Sequence, residues 1–197
     1  MLHFVFFAVV ALVSADVIFD GPCPEVKPVE NFNFSAYQGK WYEIAKFPNA
    51  GEEQDRGKCT TAEYTVDGDK GSAKNSHLIN NVNYYINAEL TLVGPAQVRL
   101  NYTFDGKTKF SYLTILDTDY KSYSIGYSCK YFKDNNKHQV FSWIKSRSKS
   151  LEGAAKEAVE NYLKKSNVID TSKYVKNDFS DEVCKEIEAK EITSFLN

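Results

Sequence analysis

Two neighbouring stretches of this sequence alternate apolar and polar residues almost without interruption. The apolar positions are Val82, Tyr84, Ile86, Ala88, Leu90 and Leu92 in the first, and Val98, Leu100, Tyr102 and Phe104 in the second. Side chains of a strand point alternately to its two faces, so this pattern predicts two strands that each have one buried and one solvated face. Gly94-Pro95 predicts a turn between them. The fold must therefore bury one face of a sheet.

Six further strands are predicted around this pair, at about 41–47, 58–66, 71–79, 108–116, 121–131 and 138–146. Short turns join most of them, and a polar loop over 49–57 separates the first two. Eight successive antiparallel strands form a meander, and closure of the meander leaves no exposed edge. We therefore predict an all-β fold, an eight-stranded antiparallel up-and-down β-barrel.

The hydrophobic period changes after the last strand. Apolar residues recur at helical spacing over about 150–165, following Ser148 or Ser150 as a cap. This pattern predicts one amphipathic C-terminal α-helix packed on the outside of the barrel. Residues 186–197 are polar and are predicted to form a loose tail.

The amino-terminal residues are typical of a signal peptide. An apolar run from 2 to 13 precedes the small residues Ser14 and Ala15. The run is too short to span a bilayer. We predict that residues 1–15 are removed and that the remaining chain, 16–197, is a single secreted, extracellular domain without membrane insertion. Three prolines within 16–38 predict an extended arm at its start.

Composition narrows the classes of partner and chemistry. The net charge of -2 and the absence of a Lys/Arg cluster argue against nucleic acid. The cysteines Cys23, Cys59, Cys129 and Cys184 predict two disulfides, for which three pairings are possible, and no Cys/His spacing indicates a metal site. Two sequons predict glycosylation at Asn33 and Asn101.

One end of the predicted barrel has residues that suit its closure. Trp41 opens the first strand, and alternation places Trp41, Glu43, Ala45 and Phe47 on one face. In an up-and-down barrel the start of the first strand, the turn at 118–120 and the end of the last strand meet at the same rim. Arg147 follows the last strand. We therefore expect its guanidinium to stack on the indole of Trp41 and close the base of the barrel.

These residues carry a resemblance to a known family. Gly39-x-Trp41, Thr118-Asp119-Tyr120 and Arg147, in this order and with a C-terminal helix, resemble the three signature motifs of the lipocalins. The similarity is stronger to the insect bilin-binding, insecticyanin-type lipocalins and extends over about 21–185. It includes the stretches 23–29, 57–59, 62–64, 126–131, 146–149, 158–163 and 178–180. This resemblance implies the disulfides Cys23–Cys129 and Cys59–Cys184.

The opposite end of the barrel is predicted to be open and to hold a small ligand. Strand parity, supported by the resemblance where both faces are mixed, predicts these ligand-binding residues: Asn75, His77, Tyr84, Ile86, Tyr102, Phe104, Lys109, Ser111, Ser128, Lys130, Gln139 and Phe141, with Trp143 nearer the base. Aromatic rings with a few polar groups suit a flat, conjugated ligand with heteroatoms. The resemblance implies a bilin such as biliverdin, whose propionates would lie near Lys109 or Lys130.

Other functions stay open at this point. The barrel is also suited to a carotenoid, a retinoid, a fatty acid or a semiochemical, and the sequence leaves a homo-oligomer or another protein partner possible. An enzyme of the prostaglandin-isomerising kind requires an unpaired thiol, and two disulfides would consume all four cysteines. We therefore predict a carrier of a small hydrophobic ligand with no catalytic residues, no catalytic cofactor and no metal.

Overall fold

A computed structural model describes residues 16–48, 58–185 and 188–193, apart from the side chain of Phe104. The predicted signal peptide and the predicted loop over 49–57 lie outside the described residues. The strands are β1 (Ile18–Asp20), β2 (Gly39–Lys46), β3 (Thr61–Asp67), β4 (Lys70–Ile79), β5 (Val82–Gly94), β6 (Gln97–Phe104), β7 (Lys107–Thr118), β8 (Tyr123–Phe132), β9 (Lys137–Ser146), β10 (Val175–Lys176) and β11 (Glu188–Glu191), and the α-helix is α1 (Gly153–Lys165).

Strands β2 to β9 form a closed barrel. Each pairs antiparallel with the next along the chain, and β9 returns to pair with β2. The prediction of an eight-stranded up-and-down barrel is confirmed. Among the described residues, no helix has the length and apolar character needed to cross a bilayer.

Two apolar cores stabilise this arrangement. One lies inside the barrel near its base and is centred on Trp41, which is fully buried. The second lies between the outer face of β8 and β9 and the helix α1, with Ile125 and Val159 among its buried residues. The helix is outside the barrel as predicted. Its N-cap is Glu152, which makes no side-chain capping bond, so the prediction of a serine cap is wrong.

A β-bulge in β2 changes the faces predicted for this strand. The register of β2 against β9 shifts between Glu43 and Ala45. A bulge inserts one extra residue, so the alternation reverses beyond it. Ala45 and Phe47 consequently lie in the outer core under the helix, whereas Trp41 lies in the inner core. The prediction that all four residues share one face is wrong for Ala45 and Phe47.

The amino-terminal arm covers an exposed edge of the sheet. β1 pairs antiparallel with the first residues of β9, where β2 no longer reaches. Cys23 is joined to Cys129 on β8 with an S–S distance of 2.03 Å. The arm also contains a short 3-10 helix at Ser35–Tyr37, beyond its prolines.

The carboxy-terminal segment is likewise attached to the barrel. Cys59 and Cys184 form the second disulfide, so both pairs are those that the resemblance implied. Beyond it, β11 pairs in parallel with residues 82–85 of β5, and the Ile192 N–H donates to the carbonyl of Tyr85. The tail is therefore not wholly loose, because its backbone completes a ladder where β5 and β6 are no longer paired.

Candidate ligand-binding cavity

The base of the barrel is closed by Arg147 and Trp41. The guanidinium carbon lies 3.7 Å from the centre of the indole. Nη1 of the same group donates to the carbonyl of Lys40 at 2.9 Å, Nη2 to that of Gln38 at 2.8 Å, and Nε to that of Tyr120 at 3.0 Å. The planar cation thus joins the start of β2 to the turn between β7 and β8.

Asp119 holds that turn in place. Its carboxylate accepts hydrogen bonds from the backbone N–H groups of 121–123 and from the hydroxyl of Ser122. Burial alone would raise the pKa of Asp119, but these hydrogen bonds together lower it below its usual value. The carboxylate therefore remains ionised and keeps the carbonyl of Tyr120 oriented towards Arg147.

Above this base the barrel encloses a cavity of about 440 Å³. Its wall combines aromatic and aliphatic side chains with a small number of polar groups. Tyr102 is central to the polar part, because its hydroxyl interacts with the side chains of Ser111 and Asn75. Burial raises the pKa of Tyr102 to about 12, so the phenol is neutral and available to donate or accept a hydrogen bond.

Six of the predicted ligand-binding residues line this cavity: Asn75, His77, Ile86, Tyr102, Lys109 and Ser111. Trp143 lines it as well. These residues lie on β4 to β7 and β9. The pairings of β4 with β5 and of β6 with β7 contain no register shift, so the alternation of inward and outward side chains is not interrupted there. Strand parity alone placed Ile86 and Tyr102, whereas the resemblance was also needed for the positions on β4, β7 and β9.

The other predicted positions are placed differently. Tyr84 stacks against His77 at 6.3 Å and Phe141 against Trp143 at 6.2 Å, and neither lines the described cavity. The amide of Gln139 donates to Asp16 of the arm. For Phe104 only the backbone is described.

Ser128 and Lys130 also lie outside the described cavity wall. They occupy the end of β8 that has no ladder partner on β7, since the pairing of these strands covers only 114–118 with 124–127. The Lys130 ammonium lies 5.0 Å from the centre of the Phe132 ring. The separation of β7 and β8 at this end explains why Ser128 and Lys130 do not line the described cavity, although parity and the resemblance had predicted it.

Three charged residues line the cavity that the predicted set did not contain: Glu43, Lys46 and Lys145. Lys145 is 5% exposed, and its ammonium donates to the hydroxyl of Tyr64 at 2.7 Å. Alternation from Trp143 already placed Lys145 on the inner face, so a signal for it existed in the sequence. Lys46 faces inward only because of the bulge in β2, and no pattern in the sequence of β2 predicts that bulge.

Comparison with known proteins places the chain in a family. A family model described as the "Lipocalin / cytosolic fatty-acid binding protein family" matches residues 38–181. The chain belongs to the lipocalin family. This lipocalin is 47% identical to the bilin-binding protein of Pieris brassicae, over 94% of this chain and 98% of that protein. It is 42% identical to insecticyanin-B of Manduca sexta, over 94% of each.

A solved structure gives the same relationship. The structure of insecticyanin from the tobacco hornworm Manduca sexta matches this lipocalin with a TM-score of 0.85 and 39% identity, covering 91% of this chain and 98% of that chain. The prediction of an insecticyanin-type lipocalin is confirmed.

The remaining predicted sites lie on the outer surface of this lipocalin. Asn33 is exposed, and its side-chain carbonyl accepts a hydrogen bond from the N–H of Ala36. Asn101 lies on the outer face of β6, with Glu89 and Phe110 opposite it on the neighbouring strands. In the described part of the chain, no three His, Cys, Asp or Glu side chains come together as metal ligands.

Proposed function

We propose that this lipocalin carries a bilin, such as biliverdin, in the cavity of its barrel. The observation that carries the proposal is the wall of the cavity, in which aromatic rings alternate with a few polar groups that converge on Tyr102. The 47% sequence identity to a bilin-binding protein, over 94% of this chain, supports the same ligand class. The proposed role is binding without a catalytic step.

The wall offers groups that match the chemistry of a tetrapyrrole. A bilin has pyrrole N–H donors and lactam carbonyl acceptors on a flat conjugated frame. Asn75, Ser111 and Tyr102 supply both donors and acceptors within the cavity, and the indole of Trp143 supplies an apolar face. Apolar burial at about 25 cal/mol per Å² then provides the larger part of the binding free energy. The polar groups orient the ligand.

A second candidate is a different hydrophobic cargo, for example a fatty acid. The matched family description includes the fatty-acid binding proteins. A catalytic role of the thiol type has no group to perform it, because all four cysteines are disulfide-bonded. Mass spectrometry of an organic extract of the purified protein distinguishes a bilin from the other cargoes.

The absorption spectrum of the purified protein tests the proposal. We expect a blue-green chromophore to co-purify, or biliverdin to be taken up at about micromolar concentrations. Asn75→Leu is expected to weaken binding about tenfold, whereas Asn87→Leu, on the outer face of the neighbouring strand, leaves it unchanged. A protein without chromophore that also fails to take up biliverdin contradicts the proposal.

We further propose that the protein is secreted after removal of residues 1–15 and glycosylated at Asn33 and Asn101. Two disulfides support an oxidising compartment. Expression in insect cells tests both points. Edman sequencing of the protein from the medium is expected to begin at Asp16, and an amidase that removes N-glycans is expected to increase its electrophoretic mobility. Retention in the cells, or unchanged mobility, contradicts the respective proposal.

A further inference from the structure

Three short strands outside the barrel cover edges where barrel strands separate towards the open end. β1 pairs with residues 137–139 of β9, which β2 no longer reaches. β10 pairs with residues 45–46 of β2, beyond the residues that pair with β3. β11 pairs with residues 82–85 of β5, which β6 no longer reaches. Each of them completes a ladder and so covers an exposed edge.

The separation of β7 from β8 has no such cover in the described part of the chain. These two strands pair over 114–118 and 124–127. Towards the open end, residues 107–113 of β7 form a ladder with β6 alone, and residues 128–132 of β8 form one with β9 alone. We call this separation the β7–β8 gap. The barrel wall is interrupted there.

The amino-terminal arm crosses the lower end of the β7–β8 gap without pairing along it. Cys23 is bonded to Cys129 on β8, and the N–H of Val29 donates to the carbonyl of Ile115 on β7. The arm thus passes from one strand to the other near the level where their pairing begins. Prolines 24 and 28 lie in this crossing and have no N–H to donate to a free strand edge.

The ligand cavity extends to the β7–β8 gap. Ser111 and Leu113 line it from the inner face of β7. Tyr112 lines it too, although alternation places Tyr112 on the outer face, where it is paired with Arg99 of β6. A side chain of the outer face reaches the cavity where the wall beside it is open.

Exposed aromatic side chains flank the β7–β8 gap on the outside. Phe110 and Tyr112 of β7 pack edge to face, with their ring centres 5.7 Å apart, and both are exposed. Tyr131 of β8 is exposed as well. Exposed apolar rings that meet at one place commonly mark a site of interaction. At an opening into an apolar cavity, they suit the passage of a hydrophobic ligand.

We propose that the β7–β8 gap is the route by which a hydrophobic ligand enters and leaves the barrel. Residues 107–112 on one side of it are all exposed. Bending this end of β7 away from β8 breaks no ladder between the two strands, because none is formed there. The gap therefore widens for a flat bilin at little cost. This inference rests on the proposed carrier function and adds the route of exchange to it.

A covalent bridge across the β7–β8 gap tests the route. Continuing the register of Thr114 with Tyr127 places Phe110 opposite Tyr131, both on the outer face. In the double variant Phe110→Cys with Tyr131→Cys, a short bismaleimide joins the two thiols. The native cysteines do not react with it, because they are disulfide-bonded.

Stopped-flow quenching of tryptophan fluorescence by biliverdin gives the rate constants, since Trp143 lines the cavity. We expect the bridge to lower the association and the dissociation rate constants at least about tenfold each. The dissociation constant is expected to stay within about twofold, because a route of entry changes the rates and not the bound state.

The same double variant treated with N-ethylmaleimide is the matched control, because both thiols are then modified but not joined. Its rate constants are expected to stay within about threefold of those of the unaltered protein. If the double variant does not fold, Thr108→Cys with Lys133→Cys bridges the gap two residues nearer the open end, by the same register.

The outcomes distinguish this inference from the carrier function. Unchanged rate constants in the bridged protein, or equal slowing in the control, overturn the inference while the bilin carrier stands. Weaker binding without slower release also overturns it, because the gap would then belong to the bound state. If biliverdin does not bind the unaltered protein, the bilin proposal fails, and the same rates measured with the fluorescent fatty acid cis-parinaric acid test the route.

Discussion

Replacing Arg147 with methionine is expected to destabilise the barrel by weakening the closure of its base. Methionine retains much of the apolar length of the side chain and removes the charge and all of its donors. The guanidinium makes three backbone hydrogen bonds of 3.0 Å or less and lies 3.7 Å from the centre of the Trp41 indole. Each of these contacts joins segments that are distant in sequence.

The magnitude follows from these contacts. We take about 1 kcal/mol for each of the three hydrogen bonds and about 1 kcal/mol for the cation–π contact. Packing of the methionine recovers part of this, so the expected loss is about 3 kcal/mol of unfolding free energy. For a domain of this size, that loss lowers the melting temperature by about 6–12 °C. Arg147→Lys is expected to lose less, because an ammonium keeps the charge but serves fewer carbonyls.

Urea unfolding followed by tryptophan fluorescence measures the effect. Arg99→Met is a matched control, since Arg99 lies 4.6 Å from the ring centre of Phe110, which is 57% exposed on the outer surface. We expect the control to cost less than about 1 kcal/mol. The argument is refuted if Arg147→Met costs less than about 1 kcal/mol, or no more than the control.

Three further predictions concern the base and the attached carboxy-terminal segment. Gly39→Ala is expected to cost about 1–3 kcal/mol in urea unfolding, because Gly39 has φ of +91° and an added Cβ would lie 3.2 Å from Nη1 of Arg147. Gly94→Ala is the control, since an added Cβ there would lie 4.0 Å from Cβ of Gln97, an ordinary van der Waals contact. Equal losses in the two variants contradict the reasoning. Asp119→Asn is expected to lower stability at neutral pH. The folded state depresses the pKa of Asp119. The stabilisation by its carboxylate is therefore present above the unfolded pKa and is lost as the pH falls through the folded pKa. A difference in unfolding free energy between the unaltered protein and Asp119→Asn that stays constant down to low pH would contradict this. Replacing Cys59 and Cys184 together with alanine is expected to cost about 2–4 kcal/mol and to speed amide exchange in β11, whereas unchanged exchange would show that β11 does not depend on this disulfide.

The closure of the base could be predicted because the order of the strands along the chain determines which residues meet at that rim. Alternation over 82–104 identified two strands without reference to any contact. The up-and-down order then assigned Trp41, the turn at Asp119 and Arg147 to one rim, and the structure brings them together there. The number of disulfides followed from the cysteine count, whereas their pairing came from the resemblance.

The cavity was predictable only where the ladders run without interruption. Tyr102 lines it as its parity indicates, and Asn75 and Ser111 line it as parity together with the resemblance indicated. Gln139 is engaged by Asp16 of the arm, a partner 123 residues away in the sequence. Strand β11 is a polar stretch, and its pairing with β5 depends on backbone groups that β6 leaves unpaired rather than on any apolar pattern.

The sequence by itself therefore determined the closed barrel, its sealed base and the outer helix, because hydrophobic period and strand order are local properties of the chain. Only the tertiary structure decided which charges enter the cavity. Lys46 faces the ligand space because β2 bulges after Glu43. That extra residue is set by how β2 meets β9 when the barrel closes, and no pattern within β2 encodes it.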